Sequence, residues 1–236
     1  MRIGIDLHNH SCLSPCAHQN MLPSLLALEA SERDIKILAL TDHNSGRNLP
    51  AFAEACEMVG IVGVFGCEVN TIEEVHMLAL FEDVHVASDF CFYIESLLPR
   101  IRNVINIFGQ QTVVDIRGKI LEEVTTSLYG AANISVDQLV NQVNNLGGMV
   151  IPAHIDRLAN SLTANLGFVP DLPYAAVEAI RVPCHVEVHG KTVIQGSDAH
   201  YLEHIGRRCC YIDADEANYP ALVNALANSA IFYRGS

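Results

Sequence analysis

Five short apolar runs end in bursts of histidine and carboxylate: Ile3-Gly-Ile-Asp-Leu-His8-Asn-His10, Leu38-Ala-Leu-Thr-Asp42-His43-Asn44, Val64-Phe-Gly-Cys-Glu68, Val150-Ile-Pro-Ala-His154 and Val193-Ile-Gln-Gly-Ser-Asp198-Ala-His200. Alternation along an extended chain puts His8 and His10 on one face, roughly 6–7 Å apart, and Asp198 with His200 repeats that spacing. A single H-x-H pair is a weak signal; five such strand ends together are a strong one. Imidazoles mixed with carboxylates, and no C-x-x-C pair among the eight cysteines, suit Zn, Mn or Fe rather than a structural thiolate site. Glu68 has two oxygens and can bridge two ions. Ions about 3.5–4 Å apart clamp a phosphoryl group, activate a bridging water as hydroxide and stabilise the leaving oxygen.

Several residues fit around such a centre. Arg157 follows His154 by three positions, and its guanidinium can take two phosphate oxygens in a fork. Arg181 closes another apolar run and is a weaker candidate for the same task. Asp42 has two readings, orienting a metal ligand or handling the leaving-group proton. Ser11 and Asn44 are candidate hydrogen-bonding partners. His76 begins an apolar run instead of ending one, and by itself is balanced between ligand and core histidine. His85, His185, His189 and His204 lack a strand-end partner and read as surface or structural residues. Cys67, Cys209 and Cys210 read as core.

These groups need a scaffold that gathers strand ends. Strand-like runs lie at Arg2–Leu7, Ile35–Leu40, Gly60–Phe65, Val75–Phe81, Gly148–Ile151, Ala176–Val182, Thr192–Gln195 and Arg208–Ile212. Their Val, Ile and Leu content predicts parallel strands buried on both faces. Helical segments fall between them: Pro23–Arg33, Pro50–Val59, a helix capped by Ser135 and Gln138 that stops at Gly147, and Tyr219–Asn228. The alternation predicts an α/β fold, barrel-like or open, with functional groups at the carboxyl ends of the strands. Residues 82–133 break the rhythm and read as an insertion, with a helix over Ser96–Phe108 and a hairpin of Thr112–Ile116 and Lys119–Val124 around Arg117-Gly118. It is either a peripheral decoration or a lid. No repeat, low-complexity tract or linker divides the chain, so residues 1–236 read as one domain.

Composition narrows the partners. Of 236 residues, half are hydrophobic, and 27 acidic against 14 basic residues give a formal net charge of −13. Such a chain repels long nucleic acid and anionic membrane unless cations reverse the sign locally. A small phosphorylated substrate is favoured, nucleotides or short oligonucleotides included. No run approaches the roughly 18 apolar residues of a membrane span. The start of the chain does not resemble a signal peptide, and the expectation is a cytoplasmic protein with reduced thiols. The oligomeric state is not legible.

The ordered set Asp6-Leu-His8-Asn-His10-Ser11, Thr41-Asp42-His43-Asn44, Gly66-Cys-Glu68-Val69, His76-Met-Leu, Pro152-Ala-His154 and Gly196-Ser-Asp198-Ala-His200 resembles the PHP (polymerase and histidinol phosphatase) superfamily. Pro152-Ala-His154-Ile-Asp-Arg157 looks like a subgroup of small bacterial PHP proteins. The resemblance implies a distorted (β/α)7 TIM-like barrel, two or three divalent ions (Zn, Mn or Fe) and hydrolysis of a small phosphomonoester or phosphodiester such as a nucleotide, sugar or amino-alcohol phosphate. It implies that His8, His10, Glu68 and Asp198 hold one ion, and that Glu68, His76 and His154 hold a second. His43 and His200 would hold a third, usually with a loop carboxylate. That carboxylate position is Pro15 here. His18 or Cys16 could replace it, and His18 is preferred because imidazole matches the other ligands. The alternatives are an amidohydrolase-like reaction, or a non-catalytic metal-stabilised module that binds a nucleotide or partner.

Overall fold

A computed structural model of the chain describes residues 1–233. In chain order its elements are β1 (Arg2–Asp6), α1 (Pro23–Glu32), β2 (Ile35–His43), α2 (Leu49–Val59), β3 (Val62–Asn70), β4 (His76–Phe81), α3 (Val84–Ser96) and α4 (Ile105–Phe108). There follow β5 (Thr112–Val114), β6 (Ile120–Glu123), α5 (Val136–Asn145), β7 (Met149–Pro152), α6 (Leu162–Leu166), β8 (Val177–Glu178), β9 (Val193–Ile194), β10 (Cys210–Asp213), α7 (Tyr219–Ala227) and β11 (Phe232–Tyr233).

Local chemistry sets the helix limits. Pro sits in the first turn of α1 and α2, where its missing N–H leaves no bond unmade. Gly60 ends α2 in the left-handed conformation, at φ 72°. Ser135 and Gln138 exchange side chain-to-backbone bonds at the start of α5.

The seven strands β1-β2-β3-β4-β7-β8-β9 circle into a distorted barrel. Ladders join β1 through β4 to β7, and a separate ladder joins β8 to β9. Between these two sheets, the Ala175 N–H donates to Val150 O at 3.0 Å and the Ile155 N–H to Glu178 O at 2.8 Å. The ring closes where Asn9 bridges Ala199 and the His10 N–H donates to Ala199 O at 3.0 Å. Strands β10 and β11 continue the sheet from the edge of β1 opposite β2. Consecutive residues of β2 enter different cores: Ile37 and Ala39 pack inward with Ile3, Ile5, Leu78 and Ile151, while Leu38 and Leu40 pack outward against α1 and α2.

The all-parallel expectation holds among β1, β2 and β3 and for the β8–β9 pair, but β4 runs antiparallel to both its neighbours and β10 runs antiparallel to β1. The reason for β4 is connection length: residues 71–75 are too few for a crossover, so β3 turns straight back into β4. In the insertion, the helix ends at Ser96 instead of beginning there, because the Asp83 carboxylate caps its start by accepting from the N–H groups of His85 and Val86. Beyond Ser96, only Ile105–Phe108 of the expected helical stretch is helical. The hairpin forms as β5 and β6, antiparallel.

Gly66 lies in β3 two residues before Glu68, and a Cβ there would sit 1.8 Å from the carbonyl oxygen of Ala79. Gly66→Ala therefore has to part β3 from β4. The expected destabilisation is roughly 3 kcal/mol, which lowers the melting temperature by roughly 6–12 °C in a domain of this size. An unchanged thermal melt would contradict this packing.

Candidate metal centre

Glu68 is the centre of the site. It lies near the end of β3 and is buried, with five imidazole nitrogens 2.9–3.4 Å from its two oxygens. His8 Nε2, His76 Nδ1 and His154 Nε2 face Oε1, while His10 Nε2 and His43 Nδ1 face Oε2. Asp198 Oδ1 stands 3.6, 3.3 and 3.4 Å from His8, His10 and His200. The reversal of β4 explains His76: it begins its strand opposite Asn70, at the end of β3 that carries Glu68.

The hydrogen bonds around the cluster fix several tautomers. Ser14 gives its hydroxyl proton to Asp42 Oδ1 at 2.6 Å, so its oxygen accepts from His10 Nδ1–H at 3.1 Å and from the His43 N–H at 3.1 Å. His10 Nε2 is therefore a bare lone pair, aimed at Glu68, Asp198 and His8 Nε2. His200 Nδ1–H donates to the Asp198 carbonyl at 3.0 Å, which leaves His200 Nε2 bare as well. His8 Nδ1–H donates to Glu178 Oε2 at 2.9 Å. The second Glu178 oxygen accepts from the His154 N–H at 3.1 Å, at a residue held in the left-handed region, φ 32°.

The electrostatics agree. Burial, reinforced by His200 and His8, holds His10 down at about 4. Burial likewise keeps His43 well below the ordinary histidine range. Burial would raise Glu68, but His76, His8 and His43 outweigh it and hold the carboxyl well below its usual range. Burial also works against the charged form of His8, yet Glu178, Glu68 and Asp198 prevail and raise it. The site thus combines ionised carboxylates, neutral imidazoles and one position where positive charge is strongly favoured. His154 Nδ1 is buried without a hydrogen-bond partner. Ligand atoms of His8, His10 and Asp198 lie within 4.8 Å of one another, as do those of His43, Glu68 and His76, and of His10, His43 and His200. This donor set fits divalent cations.

A cavity of about 380 Å³ opens onto these ligands, and its rim includes Tyr129, Arg157, Tyr201 and Arg207. Arg157 Nη1 lies 3.6 Å from Asp198 Oδ2 with about half its side chain in solvent. Arg181 is exposed and is not among the cavity's lining residues; its backbone N–H donates to Asp156. Asp42 is buried and accepts from the Ser11 N–H, the Ser11 hydroxyl and the Ser14 hydroxyl, so it acts on the site through Ser14. Asn44 donates to the carbonyls of Leu128 and Gly130 and thereby holds Tyr129, whose ring lies 5.2 Å from that of His43. His18 is exposed. Its backbone N–H donates to His200 O at 2.9 Å, while its ring accepts from the Asn20 N–H and lies against Tyr201. Cys16 instead faces the cluster, with Sγ 3.0 Å from His200 Nε2; burial pushes its thiol up to about 12.

Sequence reasoning passed over Glu178 and Arg207. Glu178 carried a signal, an acidic residue in the middle of the apolar run Ala176–Val182. Arg207 carried none; it is placed by its bonds to the carbonyls of Ser197 and Asp198.

Fold and site together give an α/β barrel with a buried cluster of histidines and carboxylates able to hold metal ions. The PHP domain profile matches residues 6–131, more than half of the chain, and the chain belongs to the PHP domain family. Among solved structures, the lesion-specific endonuclease from Pyrococcus furiosus is similar at 17% identity and a TM-score of 0.65, covering 97% of this chain and 56% of that one. Endonuclease Q in complex with a 27-mer duplex bearing an abasic lesion is similar at 16% identity and a TM-score of 0.66, covering 97% and 57%. The chain thus spans little more than half the length of these neighbours. A protein from Bifidobacterium adolescentis assigned as a metal-dependent phosphoesterase is similar at 18% identity and a TM-score of 0.56, covering 84% of this chain and 88% of that one. At these identities the likeness speaks for the fold. No curated protein matches.

Glu178 holds two cluster histidines at once, one through each oxygen. Glu178→Gln keeps one acceptor oxygen, and Glu178→Ala keeps none. Titration of chelator-stripped protein with Zn²⁺ should show affinity roughly 10-fold weaker for Gln and up to about 100-fold weaker for Ala. Wild-type affinity in Glu178→Ala would show that this carboxylate does not position the ligands.

Proposed function

We propose that this protein hydrolyses a small phosphomonoester or phosphodiester at a centre of two or three divalent ions. The observation that carries the reading is the convergence of five imidazoles on Glu68 beneath a cavity rimmed by Arg157 and Arg207. His8, His10, Glu68 and Asp198 would hold one ion, Glu68, His76 and His154 a second, and His43 and His200 a third. Zn, Mn and Fe all suit imidazole and carboxylate together. Bound there, such ions would supply Lewis acidity and activate water for attack.

The chain's own side chains do the remaining work. Arg157 reaches into the cavity mouth from solvent and can turn from Asp198 to phosphate oxygens, neutralising charge as it builds on phosphorus. Arg207 is fixed by two carbonyls and offers a second cation on the same rim. Tyr129 and Tyr201 offer aromatic surface for the organic part of the substrate. Asp42 and Ser14 orient His10, as Glu178 orients His8.

A cavity of about 380 Å³ is in the range that takes small molecules. The net charge of −13 disfavours long nucleic acid, while the rim arginines leave nucleotides and short oligonucleotides within reach. The likeness of fold to an endonuclease is a reason to include them. A cytoplasmic setting fits eight cysteines of which none forms a disulfide; no described helix is long and apolar enough to cross a membrane.

Protein reconstituted with Mn²⁺, Zn²⁺ or Fe²⁺ should turn over at least one member of a panel of sugar phosphates, nucleotides and short oligonucleotides. Glu68→Gln should lower kcat by roughly a thousandfold or more, the scale of several kcal/mol of lost charge stabilisation. Arg157→Ala should lower kcat/KM roughly ten- to a hundredfold. Metal-loaded protein inert on the whole panel would overturn the reading. Full activity in Arg157→Ala would point instead to an amidohydrolase-like reaction.

A further inference from the structure

The loop after β1 brings one unusual donor to the cluster. It is pinned at several points: the Ser14 N–H donates to Ser11 O, the Ala17 N–H to Ser14 O, and the His18 N–H to His200 O. From the insertion side, Gly109 presses on Pro15. A Cβ at Gly109 would meet Pro15 O at 2.0 Å, and its φ of 102° is open only to glycine. The loop therefore has one settled path, and that path delivers the Cys16 sulfur, not the His18 ring, to the cavity that His43, His76, Asp198 and His200 line.

His200 shows what the sulfur is for. Its Nδ1 proton is committed to the Asp198 carbonyl, so Nε2 offers a lone pair, and Cys16 Sγ is the atom 3.0 Å away. With typical bond lengths of about 2.3 Å to sulfur and 2.0 Å to nitrogen, two donors on one tetrahedral ion lie about 3.5 Å apart. An opening of about half an ångström would seat an ion between them. His10 and His43 supply further nitrogens beside His200.

We infer that Cys16 is a thiolate ligand of the third ion, together with His200 and His43, in place of a loop carboxylate. The inference rests on the metal-centre reading above and deepens it. On binding, the S–H bond breaks, the sulfur electron pair goes to the ion and the proton passes to solvent. A soft sulfur donor makes this position select Zn²⁺ over Mn²⁺ or Mg²⁺, whereas the positions around Glu68 remain nitrogen and oxygen sites.

The test reads the ion, not the reaction. Chelator-stripped protein is loaded with Co²⁺, metal content is counted, and near-ultraviolet absorption is recorded. Wild type should show a sulfur-to-cobalt charge-transfer band. Cys16→Ser should lose the band and bind one ion fewer. Cys16→Asp should keep the ion without the band, and His18→Ala should keep both. A wild type that binds Co²⁺ with no band, or a band that survives in Cys16→Ser, overturns the inference while leaving the Glu68 centre standing. No bound ion at all overturns the metal-centre reading with it. Should Cys16→Ser fail to fold, zinc-edge X-ray absorption on the wild type decides the matter. A sulfur neighbour at about 2.3 Å for roughly one ion in three supports the inference, and a purely nitrogen and oxygen shell defeats it.

Discussion

A carboxylate offers roughly four lone-pair directions, yet five imidazole nitrogens crowd the two oxygens of the buried Glu68. Protons alone satisfy this arrangement poorly. A neutral imidazole has one N–H, and the outer bonds of His8, His10 and His200 already use theirs on Glu178, Ser14 and the Asp198 carbonyl. The inward nitrogens of His10 and His200 are left as lone pairs, facing a site where both nearby carboxylates are ionised. Cations of higher charge than a proton resolve that conflict. The buried polar cluster is coherent as a metal centre and costly as anything else.

The barrel exists to make that convergence rigid. Each strand delivers its ligands by register. β3 places Glu68, and the reversed β4 brings His76 to the same end of the sheet. Around the strand ends, a ring of hydrogen bonds leaves little freedom: Asp42 and Ser14 behind His10, Glu178 behind His8 and His154, and the Asp198 carbonyl behind His200. His154 and Asp198 both adopt positive φ, at 32° and 47°, a cost that regular packing would not impose and that the site geometry requires. The insertion contributes as a brace, through Gly109 on Pro15 and through Tyr129 beside His43.

Much of this was legible beforehand because strand ends have a plain signature, an apolar run followed by His, Asp or Glu. His8, His10, His43, Glu68, His154, Asp198 and His200 all announced themselves that way, and all of them meet. What stayed hidden depends on three-dimensional detail. His76 sits at a strand start, and its place is explained only once β4 is known to run backwards. Asp42 left two readings open, orienting a metal ligand or handling the leaving-group proton, and its bonds to the hydroxyls of Ser11 and Ser14, the latter in contact with His10, fit the first. Arg181 ends a strand-like run, as Arg157 follows one, yet it is exposed and apart from the cavity. The choice between His18 and Cys16 turned on loop path. Two residues of separation decide which side chain faces inward, and residue type alone points the wrong way.

The claim on which the rest depends is that cations complete the Glu68 cluster, and thermal unfolding with and without a chelator measures it directly. Purified protein should carry two or three divalent ions per chain. Stripping them should lower the melting temperature by roughly 8–16 °C, the shift that corresponds to about 4 kcal/mol of linked binding free energy in a domain of this size. Protein that carries no divalent ion, and melts at the same temperature whether the chelator is present or the ions are restored, would contradict the account.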